Sequence, residues 1–376
     1  MNKKLDNLLY DALKPANDPA PELNRRILDR KVSKMRKFNV RKTAVAAAIG
    51  ILVAAGGVSV YAATQHHSLL SIFKGEDSEV QQKAGQFLDT KVAQETGSNK
   101  KQSQWATFKV REAIADKNVV RVQVEVKAVE PDKYLLVPYI GVPEEMSVEN
   151  LHMEGLTGEQ TLADYAKSLG KKCLPVEPRV AVPIETCRHH MEKDGTLLFD
   201  IELDNNSKSE NLEYVCETIV SPDGKEDTEI KDQFSFTLTD KTEMETFRYL
   251  PVSDGKVAGT NLVVDEVVIE KSDLEAMFTV TYHYAGNNPK WTETSEFDID
   301  FYLVDSAGKI IESGDGYMNV NPDDDTICVS KCQYSLKKLP DDIFEREGDK
   351  QSTIIIQGKD VMEKELSGKV ELKLAE

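Results

Sequence analysis

The 376-residue chain lacks the short motifs that mark common catalytic sites. It contains no G-x-S-x-G, no H-E-x-x-H, no phosphate-binding glycine-rich loop and no protein-kinase signature. Its five cysteines and six histidines show no set of four at zinc-binding spacing. The sequence therefore predicts a protein that is not an enzyme and that holds no metal and no cofactor.

Basic residues are too few to balance the acidic ones, and they are unevenly placed. The chain has 47 Lys and Arg against 65 Asp and Glu, a net charge of −18. Residues 1–42 hold 12 of the basic and 5 of the acidic residues, a net of +7, which leaves 47 − 12 = 35 basic and 65 − 5 = 60 acidic residues beyond them. An acidic surface repels phosphate backbones, so we expect no nucleic-acid partner.

Cysteine is scarce, and the first of the five residues is Cys173. An odd number leaves at least one thiol without a partner in the chain. Cys328 and Cys332 cannot pair across a continuous strand, because four residues at ~3.3 Å separate their Cα atoms by about 13 Å. We interpret all five, Cys173, Cys187, Cys216, Cys328 and Cys332, as scattered buried thiols.

A long uncharged stretch is the clearest positive feature. Thr43 to Ala63 contains no charged residue, and 21 helical residues at ~1.5 Å each span the ~30 Å core of a bilayer. The basic flank before Thr43 predicts a single-pass membrane protein with a cytoplasmic N-terminus and an exported C-terminal part. The alternative is a signal peptide cleaved after Val60-Tyr61-Ala62, although this apolar run is longer than the usual ~7 to 15 residues.

Small residues form a stripe within the predicted transmembrane helix. Ala46, Gly50 and Ala54 recur at four-residue spacing, which lets two membrane helices approach closely. An alanine-rich segment also produces such stripes by chance. Both interpretations stay open for Gly50 and its neighbours.

Residues 1–42 show the pattern of two short amphipathic helices. Leu5, Leu8, Leu9 and Leu13 recur at helical spacing, and the segment 17–21 then interrupts the pattern. Two short helices cannot bury their own apolar faces, so these leucines are candidates for binding a partner protein. The alternative is a disordered basic anchor that lies on the lipid bilayer.

The exported part divides into three segments by pattern. We interpret residues 64–104 as a helical stalk and polar linker, residues 105–250 as a first β-rich domain, and residues 251–376 as a second domain. Recurring strands without alternating helices favour β-sandwiches, and the strand density of the second domain is typical of an immunoglobulin-like fold. The fold class is thus mainly β, with short cytoplasmic helices and one transmembrane helix before two exported sandwiches.

Alternation of polar and apolar residues predicts which face of each strand is buried. Four valines between Val120 and Val126 alternate with Arg121, Gln123 and Glu125, so we expect the valines in a core and the polar residues in water. Val110 to Val126 and Val264 to Tyr282 share a similar hairpin pattern, each with a central glutamate, Glu112 or Glu266. This similarity is a hint that the two domains have related folds.

One short run contains metal-ligating residue types. In Cys187-Arg188-His189-His190, alternation places Cys187 and His189 on one face of a strand, as in half of a metal site. The alternative, which we favour, is a strand end with ordinary side chains. His66 and His67 are interpreted as a polar end of the transmembrane helix.

The order of these features resembles a known family. LDNLLYDAL and ELNRRIL, then the uncharged helix, SLLSIF and WATFKVREAIADKNVVRVQVEVK, together resemble the membrane-anchored DUF4179 family of Gram-positive bacteria. Members of that family resemble transmembrane anti-sigma factors, which implies an extracytoplasmic-function sigma factor as partner of the N-terminus. No His precedes His66 and no Cys precedes Cys173, so the cytoplasmic segment differs from zinc-containing anti-sigma domains.

Two functions follow from these patterns. The first is a membrane signalling protein whose N-terminus binds a sigma factor and whose exported domains sense an envelope condition. The second is a surface interaction protein, in which the exported domains bind an envelope ligand and the N-terminus is only an anchor. The leucine face of residues 5–13 favours the first.

Overall fold

The structure is a computed structural model. It describes residues 67–95, 102–138, 143–153, 156, 158–180, 184–205, 207, 209–222, 228–257, 262–285, 299–305, 309–311, 313, 316–320, 327–344, 353–360 and 365–375. Over these ranges no helix has the length and apolar character needed to cross a membrane. The predicted transmembrane segment 43–63 lies outside the described residues.

Strands dominate the described part of the chain, which confirms the prediction of a mainly β protein. The helices are α1 (Ser78–Phe87) and α2 (Leu162–Ser168), with 3₁₀ helices at Leu69–Phe73, Gln102–Gln104, Val148–Leu151, Leu336–Lys338 and Asp341–Phe344. The strands are β1 (Leu88–Asp89), β2 (Ala93–Glu95), β3 (Ala106–Ala115), β4 (Val119–Ala128), β5 (Tyr134–Pro138), β6 (Lys172–Val180), β7 (Ile184–Met191), β8 (Leu197–Asp204), β9 (Asn211–Val220), β10 (Ile230–Thr239), β11 (Met244–Pro251), β12 (Leu262–Ser272), β13 (Glu275–Tyr284), β14 (Ile299–Val304), β15 (Gly316–Val320), β16 (Ile327–Ser335), β17 (Thr353–Asp360) and β18 (Glu365–Leu374).

The first unit consists of two five-stranded sheets. Their strand orders are β1-β3-β4-β8-β7 (sheet A) and β2-β10-β9-β6-β5 (sheet B), and β5 pairs with β6 in parallel while the other pairs are antiparallel. Side chains from both sheets form one core, in which Val122 and Val124 of β4 lie in the same cluster as Phe234 and Phe236 of β10. Val122 and Val124 thus lie in a core, as the alternation of residues 120–126 predicts.

The second unit is a single antiparallel sheet of eight strands, β14-β17-β18-β11-β12-β13-β16-β15. The sheet curls so that β14 faces β13 and β16: the Phe301 and Tyr282 rings lie 5.0 Å apart, and the Leu303 amide donates to the Tyr334 hydroxyl at 3.0 Å. Residues 244–250 lie before the predicted boundary at 250/251, yet their strand, β11, pairs with β12 and β18 of this sheet.

The two units repeat the same strand order. Read outward from β11, the second unit has the arms β11-β12-β13-β16-β15 and β11-β18-β17-β14. The first unit has β1-β3-β4-β8-β7 and β2-β10-β9-β6, with β5 added at one edge. In the second unit one strand, β11, pairs with β12 along one part of its length and with β18 along another. In the first unit two successive short strands take these places, because β1 pairs with β3 and β2 pairs with β10.

The shared hairpin pattern coincides with this repeat. The hairpins β3–β4 and β12–β13 occupy corresponding places, and each has a register shift immediately before its central glutamate, between Val110 and Glu112 and between Val264 and Glu266. A bulge adds one residue to a strand and redirects the side chains that follow it. The structure thus extends the resemblance of the two hairpins to the geometry of the backbone.

Gly255 provides a test of the connection between β11 and β12. Its φ is +71°, and a Cβ there would overlap the Val264 carbonyl oxygen, while Gly195 has φ +86° and nothing within 4 Å of the place its Cβ would take. We expect Gly255→Ala to lower the free energy of unfolding by about 3 kcal/mol or more, and Gly195→Ala by only about 1 kcal/mol, because only the first combines left-handed strain with a backbone clash. Urea titration of the two variants measures both values. Equal losses would contradict the described turn.

Candidate functional site: the junction of the two units

The outer face of sheet A is polar but buried. Arg121 and Gln123 were predicted to face water, yet the structure leaves them only 2% and 0% exposed. Glu112 on the neighbouring strand β3 is 2% exposed. The prediction was wrong because alternation identifies the face of a strand that is polar and says nothing about what covers that face.

Residues 67–69 begin the cover over this face. The Gln123 side-chain amide donates to the His67 carbonyl oxygen at 2.9 Å. The Ser68 hydroxyl and the Leu69 amide donate to the same oxygen of Glu112, at 2.7 and 3.0 Å. Two hydrogen bonds to one buried carboxylate are charge-assisted and stronger than neutral ones. The chain is therefore held firmly four residues after the end of the predicted transmembrane helix.

The cover continues as a 3₁₀ helix and α1, whose apolar side chains contact both units. Leu69, Phe73 and Ala84 form a buried cluster with Ile114 of the first unit and Leu274 of the second. We call residues 67–88 the junction segment. The predicted helical stalk is thus packed into the protein, and α1 ends at Phe87.

Polar contacts also connect the junction segment to the second unit. Lys83 forms an ion pair with Asp273 at 2.7 Å, and the Ser335 hydroxyl donates to Glu76 at 2.7 Å. Lys337 donates to the Gly75 carbonyl at 3.0 Å. The segment therefore bridges the two units.

The centre of the junction is an ion cluster around Arg121. One guanidinium nitrogen donates to Glu275 of the second unit at 2.6 Å and to Glu202 of the first at 3.2 Å. The Phe73 ring lies 5.5 Å from the guanidinium carbon, and Gln333 donates to the same Glu275 oxygen as Arg121. A buried charge must be paired, and here the pair comes from two separate units.

The hairpin tips meet beside this cluster. The Asn118 side-chain amide donates to the Glu270 carbonyl at 2.9 Å, and Lys331 pairs with Asp204 at 3.1 Å. Asp116 is completely buried next to them. Burial, and then the nearby Glu275 carboxylate, raise the pKa of Asp116 to about 7. Burial likewise raises the pKa of Glu275 despite the opposing effect of Arg121.

A pair of histidines lies at the other end of the covered face. The ring of His67 is 3.9 Å from that of His190 on β7, and the His190 Nε2 atom is buried with no hydrogen-bond partner among the described residues. Burial, followed by the neighbouring His67, lowers the pKa of His190 to about 4. Burial lowers the pKa of His189 as well, although its Nε2 lies 2.6 Å from the Asn150 carbonyl oxygen.

The candidate metal ligands do not converge. Cys187 is exposed on β7, while His189 is buried against Asn150. Across the described ranges, no three His, Cys, Asp or Glu side chains are arranged to hold a metal ion. All five cysteines fall in those ranges and none forms a disulfide. Cys216, Cys328 and Cys332 are buried as predicted, whereas the prediction was wrong for Cys187, which is exposed, and for Cys173, which is half-buried.

The partner-binding and membrane residues predicted from sequence lie outside the described residues: Leu5, Leu8, Leu9, Leu13, Thr43, Gly50 and Ala63. Sequence reasoning missed Arg121, Glu275 and Glu112, which organise the junction. The available signal was the position of Arg121 within a run of valines, where a charged side chain requires a partner if the strand is covered.

Comparison with known proteins adds little to this description. No protein-family model and no curated protein matches the sequence. Among solved structures, "The crystal structure of the conserved domain protein from Bacillus anthracis" is similar at 9% identity, with a TM-score of 0.40, covering 78% of this chain and 84% of that one. A similarity at that level supports no conclusion about fold or function.

Arg121 provides the first test of the junction. Replacing it with Met leaves Glu275 buried without its cation, so we expect the free energy of unfolding to fall by about 3 to 5 kcal/mol. The matched control is Arg179→Met, because Arg179 pairs with Glu177 at 2.9 Å on the surface and should contribute at most about 1 kcal/mol. Urea titration of the full chain in detergent micelles compares them. Similar losses in both variants would contradict a special role for Arg121.

His190 provides a second test, based on pH. Because its pKa is lowered in the folded protein, the folded state binds fewer protons than the unfolded state, and stability is lost as the pH falls from about 6.5 toward 4. We expect the stability difference between wild type and His190→Phe to shift by about 1 to 2 kcal/mol in favour of the variant between pH 7 and pH 5. The control is His283→Phe, an exposed histidine paired with Asp265. No shift for His190→Phe would contradict the described burial.

Proposed function

We propose that this chain is a single-pass membrane signalling protein of the anti-sigma type. Its basic N-terminus binds an extracytoplasmic-function sigma factor, residues 43–63 cross the membrane, and the acidic remainder is exported. We further propose that the exported part consists of two immunoglobulin-like β-sandwich domains and has no enzymatic activity. The resemblance to the DUF4179 family and the charge asymmetry across residues 43–63 support this assignment.

One structural observation favours signalling over simple anchoring. The junction segment is bound to both units, through Glu112 on one side and through Asp273 and Ser335 on the other. A change in the arrangement of the units therefore alters the surroundings of His67, which follows the predicted membrane helix by four residues. A protein that needed only an anchor would gain nothing from this connection, whereas a sensor requires one.

The alternative is a surface interaction protein whose exported units bind an envelope ligand without a sigma factor. The repeated fold supports this alternative, because tandem β units commonly present loops that bind ligands. The leucines at positions 5, 8, 9 and 13 distinguish the two functions. An anchor needs the basic residues alone, while a sigma-factor site needs the apolar face.

The sigma-factor interface is tested by changing the leucine face. We expect Leu8→Asp with Leu9→Asp to weaken binding at least 100-fold, since each buried leucine contributes about 1.5 to 3 kcal/mol. The full-length chain is co-expressed with each extracytoplasmic-function sigma factor of its host in turn, and any complex is recovered from membranes and quantified. A control with Asn7→Asp and Lys14→Gln makes the same change in net charge on the opposite side of the predicted helix. It should bind like wild type.

The outcomes separate the two functions. Loss of the sigma factor in the leucine variant alone supports the anti-sigma assignment. Equal recovery by all three proteins contradicts this interface, and recovery by none favours the surface interaction protein.

A further inference from the structure

The tips of two corresponding hairpins bring buried acids together at the junction. Asp116 lies where β3 turns into β4, and Glu275 follows the turn between β12 and β13. Asp116 is 0% exposed and Glu275 is 4% exposed. Arg121, 2% exposed, is the one cation that lies between these carboxyl groups among the described residues.

The hydrogen bonds of this cluster are incomplete. Asp116 Oδ1 accepts from the Asn118 amide at 2.8 Å, but Oδ2 is buried with no partner in the described part of the chain. Glu275 Oε1 and the Nε and Nη1 atoms of Arg121 are also buried with no hydrogen-bond partner in the described residues. The nearby Ser272 hydroxyl donates to the Glu275 carbonyl at 3.0 Å, and it also acts to lower the pKa of Asp116, although burial has the larger, opposite effect. An ionised Asp116 would therefore have too few donors to compensate for its burial.

Charge counting leads to the same conclusion. Asp116, Glu275 and Glu202 provide three carboxyl groups around the single guanidinium of Arg121. The surrounding lysines are already engaged with other acids at the junction: Lys117 pairs with Asp240 at 3.3 Å and Lys331 with Asp204 at 3.1 Å. With all three carboxyl groups ionised the cluster carries an excess charge of −2, and one proton reduces it to −1. A proton bound to a buried acid is the ordinary response to this situation.

We propose that the junction is a proton-operated latch, in which one proton held by the Asp116 and Glu275 pair keeps the two units together and its loss loosens them. The proposal requires only the contact between the units. A test of the latch is therefore independent of the sigma-factor role.

The direction of the pH dependence follows from the closed and open states. In the closed junction burial raises the pKa of Asp116 to about 7, whereas an open, hydrated junction returns it to about 3.9. The closed state therefore binds more protons between these values, and closure is strengthened as the pH falls through 7. From pH 7.5 to pH 5.5 the equilibrium constant for opening should fall roughly ten- to thirty-fold.

Amide hydrogen exchange on the full chain in detergent micelles measures this opening. The informative peptides cover residues 116–123 and 270–276, and the rates are corrected for the intrinsic effect of pH on exchange. We expect protection in both to increase at least ten-fold between pH 7.5 and pH 5.5. The peptide covering 184–191 is an internal reference, because the lowered pKa of His190 predicts the opposite trend there.

Variants identify the groups responsible. Asp116→Asn imitates the protonated acid and should keep the junction closed at every pH, with no trend. Glu275→Gln removes the neighbouring negative charge and should move the transition to lower pH; it keeps the test available if the first variant fails to fold. The matched control is Asp132→Asn, an exposed acid in the turn before β5, which should retain the wild-type trend.

Several results would overturn the latch. The first is protection from exchange in the wild-type junction that stays constant or falls as the pH is lowered. The second is an Asp116→Asn variant whose protection still depends on pH as in wild type. The third is a Glu275→Gln variant whose change in protection occurs at the same pH as in wild type. The expected pattern in wild type, both variants and the control would establish it.

Discussion

Burial of the Arg121 guanidinium is the constraint on which the junction depends. A charge that is removed from water must be matched by an opposite charge at close range, because an unpaired buried ion costs several kcal/mol. Arg121 receives Glu202 from its own unit and Glu275 from the other. Separation of the units would leave Glu275 without its cation, and the position of the second unit is therefore coupled to the charge state of the first.

The junction segment, residues 67–88, completes this arrangement. It covers the polar outer face of sheet A, provides Phe73 beside Arg121, and supplies donors for the buried Glu112. In the second unit the corresponding glutamate, Glu266, pairs instead with Arg248 of β11 on an exposed face. Two units with the same strand order thus use one position differently. In the first unit the glutamate binds Ser68 and Leu69 of the junction segment. In the second unit it pairs with an arginine on the neighbouring strand of the same sheet.

Local patterns were sufficient for much of the fold. Alternation located β4, whose four valines are buried. In α2, Thr161 accepts from the Asp164 amide at 3.1 Å as an N-terminal cap. Such elements depend on residues close together in the chain. The same reasoning assigned Arg121 and Gln123 to water, because their burial is produced by residues far away in the chain.

The sequence by itself determined the mainly β class, the inward faces of the strands and the change of charge across residues 43–63, since periodicity and composition are properties of neighbouring residues. Only the tertiary structure decided that the two units share one strand order and that Arg121 meets Glu275. It also decided that residues 67–88 bind between the units. The contact of Arg121 with Glu275 joins residues 154 positions apart, and no local pattern specifies which distant carboxylate will balance a buried charge.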